Sequence, residues 1–120
     1  MKVIEENTKN LFTIDAIINY CKNTQKEDWC VDVVRSKDGK QNCLLGHIFE
    51  LGDKNGGQEL ANQLIDWFEG CWANTYMFYG VNDGSDTDYP QDNAKDRIIA
   101  YLEDLKSGKQ KNINQLYDEG

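Results

Sequence analysis

The sequence lacks the features that most often assign a protein to the membrane or to a common enzyme class. No apolar run approaches the roughly 20 residues of a membrane-spanning helix, and the first six residues lack the apolar stretch of a signal peptide. We therefore expect a cytoplasmic protein that does not enter a membrane. The chain also contains no phosphate-binding loop, no dinucleotide-binding fingerprint and no serine-centred nucleophile elbow.

Histidine and closely spaced cysteines are also scarce. His47 is the single histidine, and Cys21, Cys30, Cys43 and Cys71 contain no Cys-x-x-Cys pair. Because known zinc sites combine such ligands at short spacings, we expect no metal and no other cofactor. In a cytoplasmic protein the four thiols are expected to be reduced and buried.

Basic residues are absent from the middle of the chain. The protein has 21 acidic and 13 basic residues and a net charge of −8, yet no lysine or arginine lies between Asn55 and Ala94. That stretch holds seven acidic and seven aromatic residues: Glu59, Asp66, Glu69, Asp83, Asp86, Asp88 and Asp92, with Trp67, Phe68, Trp72, Tyr76, Phe78, Tyr79 and Tyr89. Such asymmetry favours a surface that attracts basic partners, although acidity of this size also serves solubility alone. The few, dispersed basic residues argue against direct nucleic-acid binding.

A buried helix over 42–52 is the element around which we expect the rest to pack. Asn42 is a suitable N-cap, and Gly52 is a suitable residue for its end. Gly46 lies in mid-helix, where it costs about 1 kcal/mol relative to alanine, so we expect another backbone to approach it closely. The apolar residues follow helical spacing on two faces: Leu44, Ile48 and Leu51, with Leu45 and Phe49.

Three further helices are predicted from apolar residues at helical spacing. The first is capped by Thr13 and ends near Lys22. The second spans 58–71. The last has Pro90 in its first turn and ends near Lys106.

Two segments favour strands because they are rich in β-branched or aromatic residues. They are Trp29–Val34, which precedes an Asp38-Gly39 hairpin turn, and Asn74–Tyr79. The predicted fold is therefore α+β, a single domain with about four helices packed around a small antiparallel hairpin or sheet. The expected organisation is an N-terminal arm at 1–12, a globular domain at 13–106 and a polar C-terminal tail at 107–120.

Three short motifs follow one another along the chain: Trp29-Cys30, then Cys43-Leu44-Leu45-Gly46 at a helix start, then Asn82-Asp83 before the last helix. Their order resembles a family of small uncharacterised domains found in bacterial and phage genomes, whose members carry Trp-Cys, Cys-x-Leu-Gly and Asn-Asp motifs. The resemblance extends from about Ile14 to Leu105. His47 stands where this family more often has a small residue. The resemblance implies a layout and no particular activity.

Cys43 and His47 form the arrangement that most directly suggests catalysis. Cys43 lies at the expected start of a helix, where free N–H groups and the helix dipole favour a thiolate. His47 follows one turn later on the same face. A cysteine–histidine pair is the core of thiol nucleophile chemistry, and Asn82 or Asp83 would orient the imidazole. The simpler interpretation is that both side chains pack in the core.

The segment from Asn82 to Asp88 resembles a cation-binding loop in composition. It lacks the glycine at position six and the closing glutamate of a calcium loop. Turn formation and capping of the last helix explain these residues more simply. We also expect Asn82 and Asp83 to hold their own loop through side-chain to backbone hydrogen bonds.

We predict a small non-enzymatic binding protein, encoded by a phage, that masks a basic surface of a host protein in defence or nucleic-acid processing. Aromatic residues supply interface anchors, and acidic residues steer the protein towards basic targets. The predicted partner-binding residues are Glu59, Asp66, Trp67, Glu69, Trp72, Asp83, Asp86 and Asp88. Two alternatives are a thiol enzyme that uses Cys43, His47 and Asp83, and a structural homodimer formed through Trp67 and Trp72.

Overall fold

The structure, a computed structural model, describes residues 11–71 and 75–108. These residues form five α-helices and one short 3-10 helix, which are joined by loops. Most of the predicted arm and tail, 1–10 and 109–120, lies outside the described residues. The elements in chain order are α1 (Ile14–Lys22), a 3-10 turn (Lys26–Asp28), α2 (Leu44–Gly56), α3 (Gln58–Cys71), α4 (Thr75–Asp83) and α5 (Ala94–Ser107). α2 packs chiefly against α3, and α5 packs against both α1 and α4.

The predicted α+β fold is wrong, because residues 11–71 and 75–108 contain no strand or sheet. Residues 31–34 bend instead of extending, and Asp32 adopts a left-handed conformation at φ 68°. Two isolated bridges join Trp29 to Asn42 and Arg35 to Asn42. Residues 31–34 do not become a strand, because the segment that follows the Asp38-Gly39 turn leads directly into α2 and offers no continuous strand to pair with.

The aromatic segment predicted as a second strand is helical. Asn74 lies outside the described residues, and the residues that follow it form α4, which continues into the predicted loop as far as Asp83. Phe78 and Val81 are fully buried at helical spacing, and the Phe78 ring packs edge-on against Phe68 with centroids 6.1 Å apart. Packing of this apolar face outweighs the strand preference of aromatic residues.

Side-chain caps fix the starts of the first and last helices. The Thr13 hydroxyl accepts a hydrogen bond from the Ala16 N–H at 3.0 Å, and α1 begins as predicted. The Asn93 side chain accepts from the Asp96 N–H at 2.9 Å and begins α5. Pro90 therefore precedes this helix instead of lying in its first turn. The Asn93 side chain can accept a hydrogen bond from a free N–H of the first turn, whereas a proline side chain has no acceptor.

The ends of α2 differ from the predicted ones. Its N-cap residue is Cys43 rather than Asn42, and the helix continues past Gly52 for another turn until Gly57, at φ 86°, ends it. Gly52 serves packing and not termination, because its missing side chain lets the backbone of Ala61 in α3 approach α2. The face with Leu44, Ile48 and Leu51 is buried, as predicted, but Leu45 and Phe49 on the second apolar face are only partly buried, so the helix is not buried on all sides.

We expect Gly52→Ala to lower the free energy of unfolding by about 2 kcal/mol. The new Cβ atom would overlap the backbone of Ala61, and forcing the helices apart outweighs the roughly 1 kcal/mol gain in helix propensity. Gly70→Ala in α3 is the matched control, because a Cβ atom there meets no described atom within 4 Å. That variant should be slightly stabilised. Urea unfolding measures both, and equal shifts would contradict the close approach.

Candidate binding cleft

The buried side chain of Asn82 joins three separate segments of the chain. Its Oδ1 accepts a hydrogen bond from the Leu44 N–H at 3.1 Å, at the start of α2. Its Nδ2 donates to the Cys30 carbonyl and to Asp83 Oδ1, each at 3.0 Å. Asn82 thus satisfies an N–H that the N-cap residue Cys43 leaves without a side-chain bond. This role had been predicted for Asn42.

Asn42 instead anchors the segment that precedes α2. Its backbone N–H donates to the Asp28 carbonyl at 2.9 Å, and its carbonyl accepts from the Cys30 N–H at 3.0 Å. Its side-chain oxygen accepts from Arg35 Nε at 2.8 Å. The predicted close approach to Gly46 is confirmed, because a Cβ atom there would lie 2.5 Å from the carbonyl oxygen of Val34.

The buried guanidinium group of Arg97 donates hydrogen bonds to the backbone next to and at Asn82. Arg97 in α5 donates to the carbonyls of Val81 and Asn82, at 3.0 and 2.8 Å, and to that of Gln91 at 3.0 Å. The first two carbonyls belong to the C-terminal end of α4, where a positive charge complements the helix dipole. Sequence reasoning missed this residue, because an arginine on an amphipathic helix normally faces solvent.

The loop 31–34, held across the start of α2, exposes three aliphatic side chains. Val31, Val33 and Val34 are 41%, 53% and 37% exposed, and they are the exposed large hydrophobic residues of the described chain. Asp32 lies among them, and its N–H donates to Asp83 Oδ1 at 3.0 Å. A left-handed conformation costs energy for most residues, and the bond to Asp83, together with that from the Cys43 N–H to the Val34 carbonyl at 2.9 Å, stabilises the loop in this form.

This loop borders a cleft of about 470 Å³. The described residues that line the cleft combine an apolar surface with two carboxylates: Asp32, Val33, Val34, Cys43, Tyr79 and Asp83. None of them is basic. Burial raises the pKa of the Cys43 thiol and also that of the Tyr79 hydroxyl, so both groups are neutral at pH 7. The cleft therefore offers apolar contact and negative charge.

His47 lies beside a different cleft of about 400 Å³, which Tyr20, Lys40 and Glu50 also line. The residue is 2% exposed, and its ring packs against the Trp29 ring with centroids 4.2 Å apart. Neither ring nitrogen makes a well-formed hydrogen bond with the described residues. Burial lowers the pKa of His47 to about 4, because a desolvated imidazole resists protonation.

The structure does not bring the predicted catalytic residues together. Cys43 and Asp83 line one cleft and His47 lines another. No hydrogen bond joins the Cys43 thiol to the imidazole in the described part of the molecule, and the bond between the two residues is the helical one from the His47 N–H to the Cys43 carbonyl. A buried thiol whose pKa is raised is a weak nucleophile.

Two carboxylates of the segment 82–88 accept hydrogen bonds from backbone N–H groups. Asp83 accepts from the Asp32 N–H, and Asp86 Oδ1 accepts from the Asp88 N–H at 2.9 Å. Asn82 and Asp83 do bond backbone groups, as predicted, but those groups belong to Cys30, Asp32 and Leu44 and not to their own loop. Within residues 11–71 and 75–108 no group of three potential ligands is placed to hold a metal ion.

Among the described residues, the other predicted partner-binding residues are not part of the cleft lining. Glu59 and Asp66 are exposed on α3, with Glu69 partly buried. The Trp67 ring packs edge-on against Phe12 with centroids 5.8 Å apart. Trp72 lies outside the described residues, and Asp86 and Asp88 lie in the turn after α4. Of the predicted set, the structure brings Asp83 alone to the described lining of the cleft.

Comparisons with protein-family models, with curated proteins and with solved structures found no match. Among the described helices none is both long and apolar enough to cross a membrane.

Proposed function

We propose that the protein is a non-enzymatic binding protein that recognises a basic and aliphatic segment of a partner, a host protein, and masks it. The observation that carries this proposal is the exposed valine loop 31–34 beside the acidic cleft. Exposed aliphatic residues cost solubility, and a folded protein that exposes three of them side by side, two of them in the lining of a cleft, commonly uses them for contact.

The charges around the cleft support a basic occupant. Asp32 and Asp83 are the charged side chains among the described residues of its lining. A lysine or arginine on the partner would meet two carboxylates and no basic group in the described lining of the cleft, and an adjacent aliphatic side chain would pack on the valines.

Binding to short peptides tests the proposal. The probe is a set of hexapeptides in which lysine or arginine alternates with leucine or valine, compared with the same peptides carrying glutamate. We expect the basic peptides to bind, and their affinity to fall with salt. Val33→Ser should weaken binding about tenfold, because Val33 is the most exposed valine of the loop. Isothermal titration calorimetry measures the dissociation constants.

Two charge-removing variants complete this test. Asp83→Asn keeps a side-chain oxygen that accepts from the Asp32 N–H but removes the charge, and it should also weaken binding. Asp66→Asn removes a charge on the outer face of α3 and should leave binding unchanged. Failure of every basic peptide to bind, or equal binding by Val33→Ser, would reject the cleft. Loss of binding in Asp66→Asn would instead place the interface on α3, which carries Glu59, Asp66, Trp67 and Glu69 of the predicted partner-binding set.

A further inference from the structure

Cys30 and Cys43 are the residues that follow Trp29 and Asn42, and Trp29 and Asn42 form a parallel β-bridge. The Asn42 N–H donates to the Asp28 carbonyl at 2.9 Å, and the Asn42 carbonyl accepts from the Cys30 N–H at 3.0 Å. These two bonds form the parallel bridge between Trp29 and Asn42. The next two residues, Cys30 and Cys43, are therefore neighbours across the two segments, and adjacent extended chains lie about 4.8 Å apart.

Asn82 occupies the place where the next hydrogen bond would form if this isolated bridge were extended into a ladder. In a continued parallel pairing the Leu44 N–H would donate to the Cys30 carbonyl. Here both groups bond to the carboxamide of Asn82 instead. The pairing therefore ends here, and the bridge between Trp29 and Asn42 is what places Cys30 and Cys43 at facing positions. A disulfide joins cysteines whose Cα atoms lie about 4.4–6.8 Å apart, a separation that facing residues of paired chains can have.

The two thiols also share one electrostatic environment. Burial is the main cause of the raised pKa of each thiol, and the Asp83 carboxylate raises the pKa of both. Cys30 is partly exposed, whereas Cys43 is buried. Cys21, in contrast, is buried in α1 and belongs to the hydrophobic core.

We propose that Cys30 and Cys43 form a reversible disulfide with a low-molecular-weight disulfide such as oxidised glutathione as the oxidant. This bond would close the loop 30–43 and tie the start of the valine loop to the N-cap of α2. The proposal does not depend on the proposed partner, because it concerns a modification of the chain itself.

The chemistry is two successive thiol–disulfide exchanges. The Cys30 thiolate attacks one sulfur of oxidised glutathione, forms a mixed disulfide and releases one glutathione thiolate. The Cys43 thiolate then attacks the Cys30 sulfur and releases the second. The two cysteines are oxidised by two electrons and glutathione disulfide is reduced by two electrons, while the two cysteine protons pass to the released thiolates. The exposed thiol reacts first, so the buried one needs no direct access to the oxidant.

Tryptic mapping of the full chain tests this proposal without ambiguity. Cleavage after lysine and arginine places Cys21, Cys30, Cys43 and Cys71 on four different peptides, 10–22, 27–35, 41–54 and 55–95. The native protein is incubated with oxidised glutathione at mildly alkaline pH, which raises the thiolate fraction. It is then alkylated in denaturant, digested without reductant and examined by mass spectrometry. The expected product is 27–35 joined to 41–54, two hydrogen atoms lighter than the sum of the two peptides.

Controls identify the fold as the cause of this pairing. Protein oxidised in denaturant should give mixed linkages, and the native protein should give roughly tenfold more of the 30–43 linkage than of any other pair. Cys30→Ser and Cys43→Ser should each abolish the joined peptide, whereas Cys21→Ser should retain it. Recovery of free thiols with dithiothreitol shows that the bond is reversible. A glutathione adduct on Cys30 that does not progress, or a dominant linkage to Cys71, would overturn the proposal.

Discussion

Replacing Asn82 with alanine is expected to lower the free energy of unfolding by about 3 kcal/mol. The carboxamide is fully buried, and its removal leaves the Leu44 N–H and the Cys30 carbonyl without their partner. Each unsatisfied buried group costs about 1–3 kcal/mol, and the cavity adds to that cost. Urea unfolding followed by tryptophan fluorescence measures the change.

Asn62→Ala is the matched control for this variant. Asn62 is exposed on α3, where it accepts a bond from Gln58 Nε2 at 3.1 Å. Its removal should change stability by less than about 0.5 kcal/mol. If Asn82→Ala were as mild as Asn62→Ala, the loop and the start of α2 would not depend on the Asn82 bonds.

Acidification is expected to destabilise the protein through His47. The pKa of His47 is about 4 in the folded protein, against an ordinary value of 6.5 for histidine, so the unfolded chain binds the proton more tightly. The stabilising contribution of the neutral imidazole is therefore fully present above pH 6.5 and is lost as the pH falls towards 4. At about 1.4 kcal/mol per pKa unit, the loss reaches about 3 kcal/mol.

His47→Phe isolates this effect from the titration of carboxylates. The variant keeps a ring against Trp29 and has no group that titrates. Its stability at pH 7 should be close to that of the wild type. The two buried nitrogens of the imidazole make no well-formed hydrogen bond to the described residues, so the phenyl ring loses no such bond. Between pH 6.5 and 4 the wild type should lose about 3 kcal/mol more than the variant. Equal losses would mean that His47 becomes protonated without cost.

Local chemistry predicted several elements of the fold. Thr13 supplies a side-chain acceptor at the correct distance from the N–H groups that it caps, and α1 follows from it. α3 follows from its apolar spacing and has the predicted bounds. These features depend on residues a few positions apart, and such interactions are present in the sequence itself.

The two predicted strands are wrong, because strand preference is a property of neighbouring residues, whereas a strand forms only when a distant segment pairs with it. Val31, Val33 and Val34 have strand preferences, but a strand needs a partner, and Asn42 supplies isolated bridges instead of a ladder. Phe78 has the same preference, yet it becomes helical because that conformation buries it against Phe68. Side-chain preference describes the fit to a half-buried sheet surface and does not provide the sheet.

The candidate cleft was only partly predictable. The sequence marked Asp83 and Cys43, both of which line it, but paired Cys43 with a histidine that faces another cleft. Arg97 and the role of Asn82 were missed because their partners lie far away along the chain or on other elements. No pattern within one helix indicates that an amide in α4 bonds the first N–H of α2.

The bonds of Asn82 are long-range contacts in a domain that is otherwise helical. Helical domains usually form quickly, because most of their contacts join neighbouring residues. Here the bonds from Asn82 to Leu44 and Cys30 join residues that are 38 and 52 positions apart. These bonds can form only when α4 packs against the start of α2. We therefore expect the surface proposed to meet a partner to reach its final conformation only after α4 has packed.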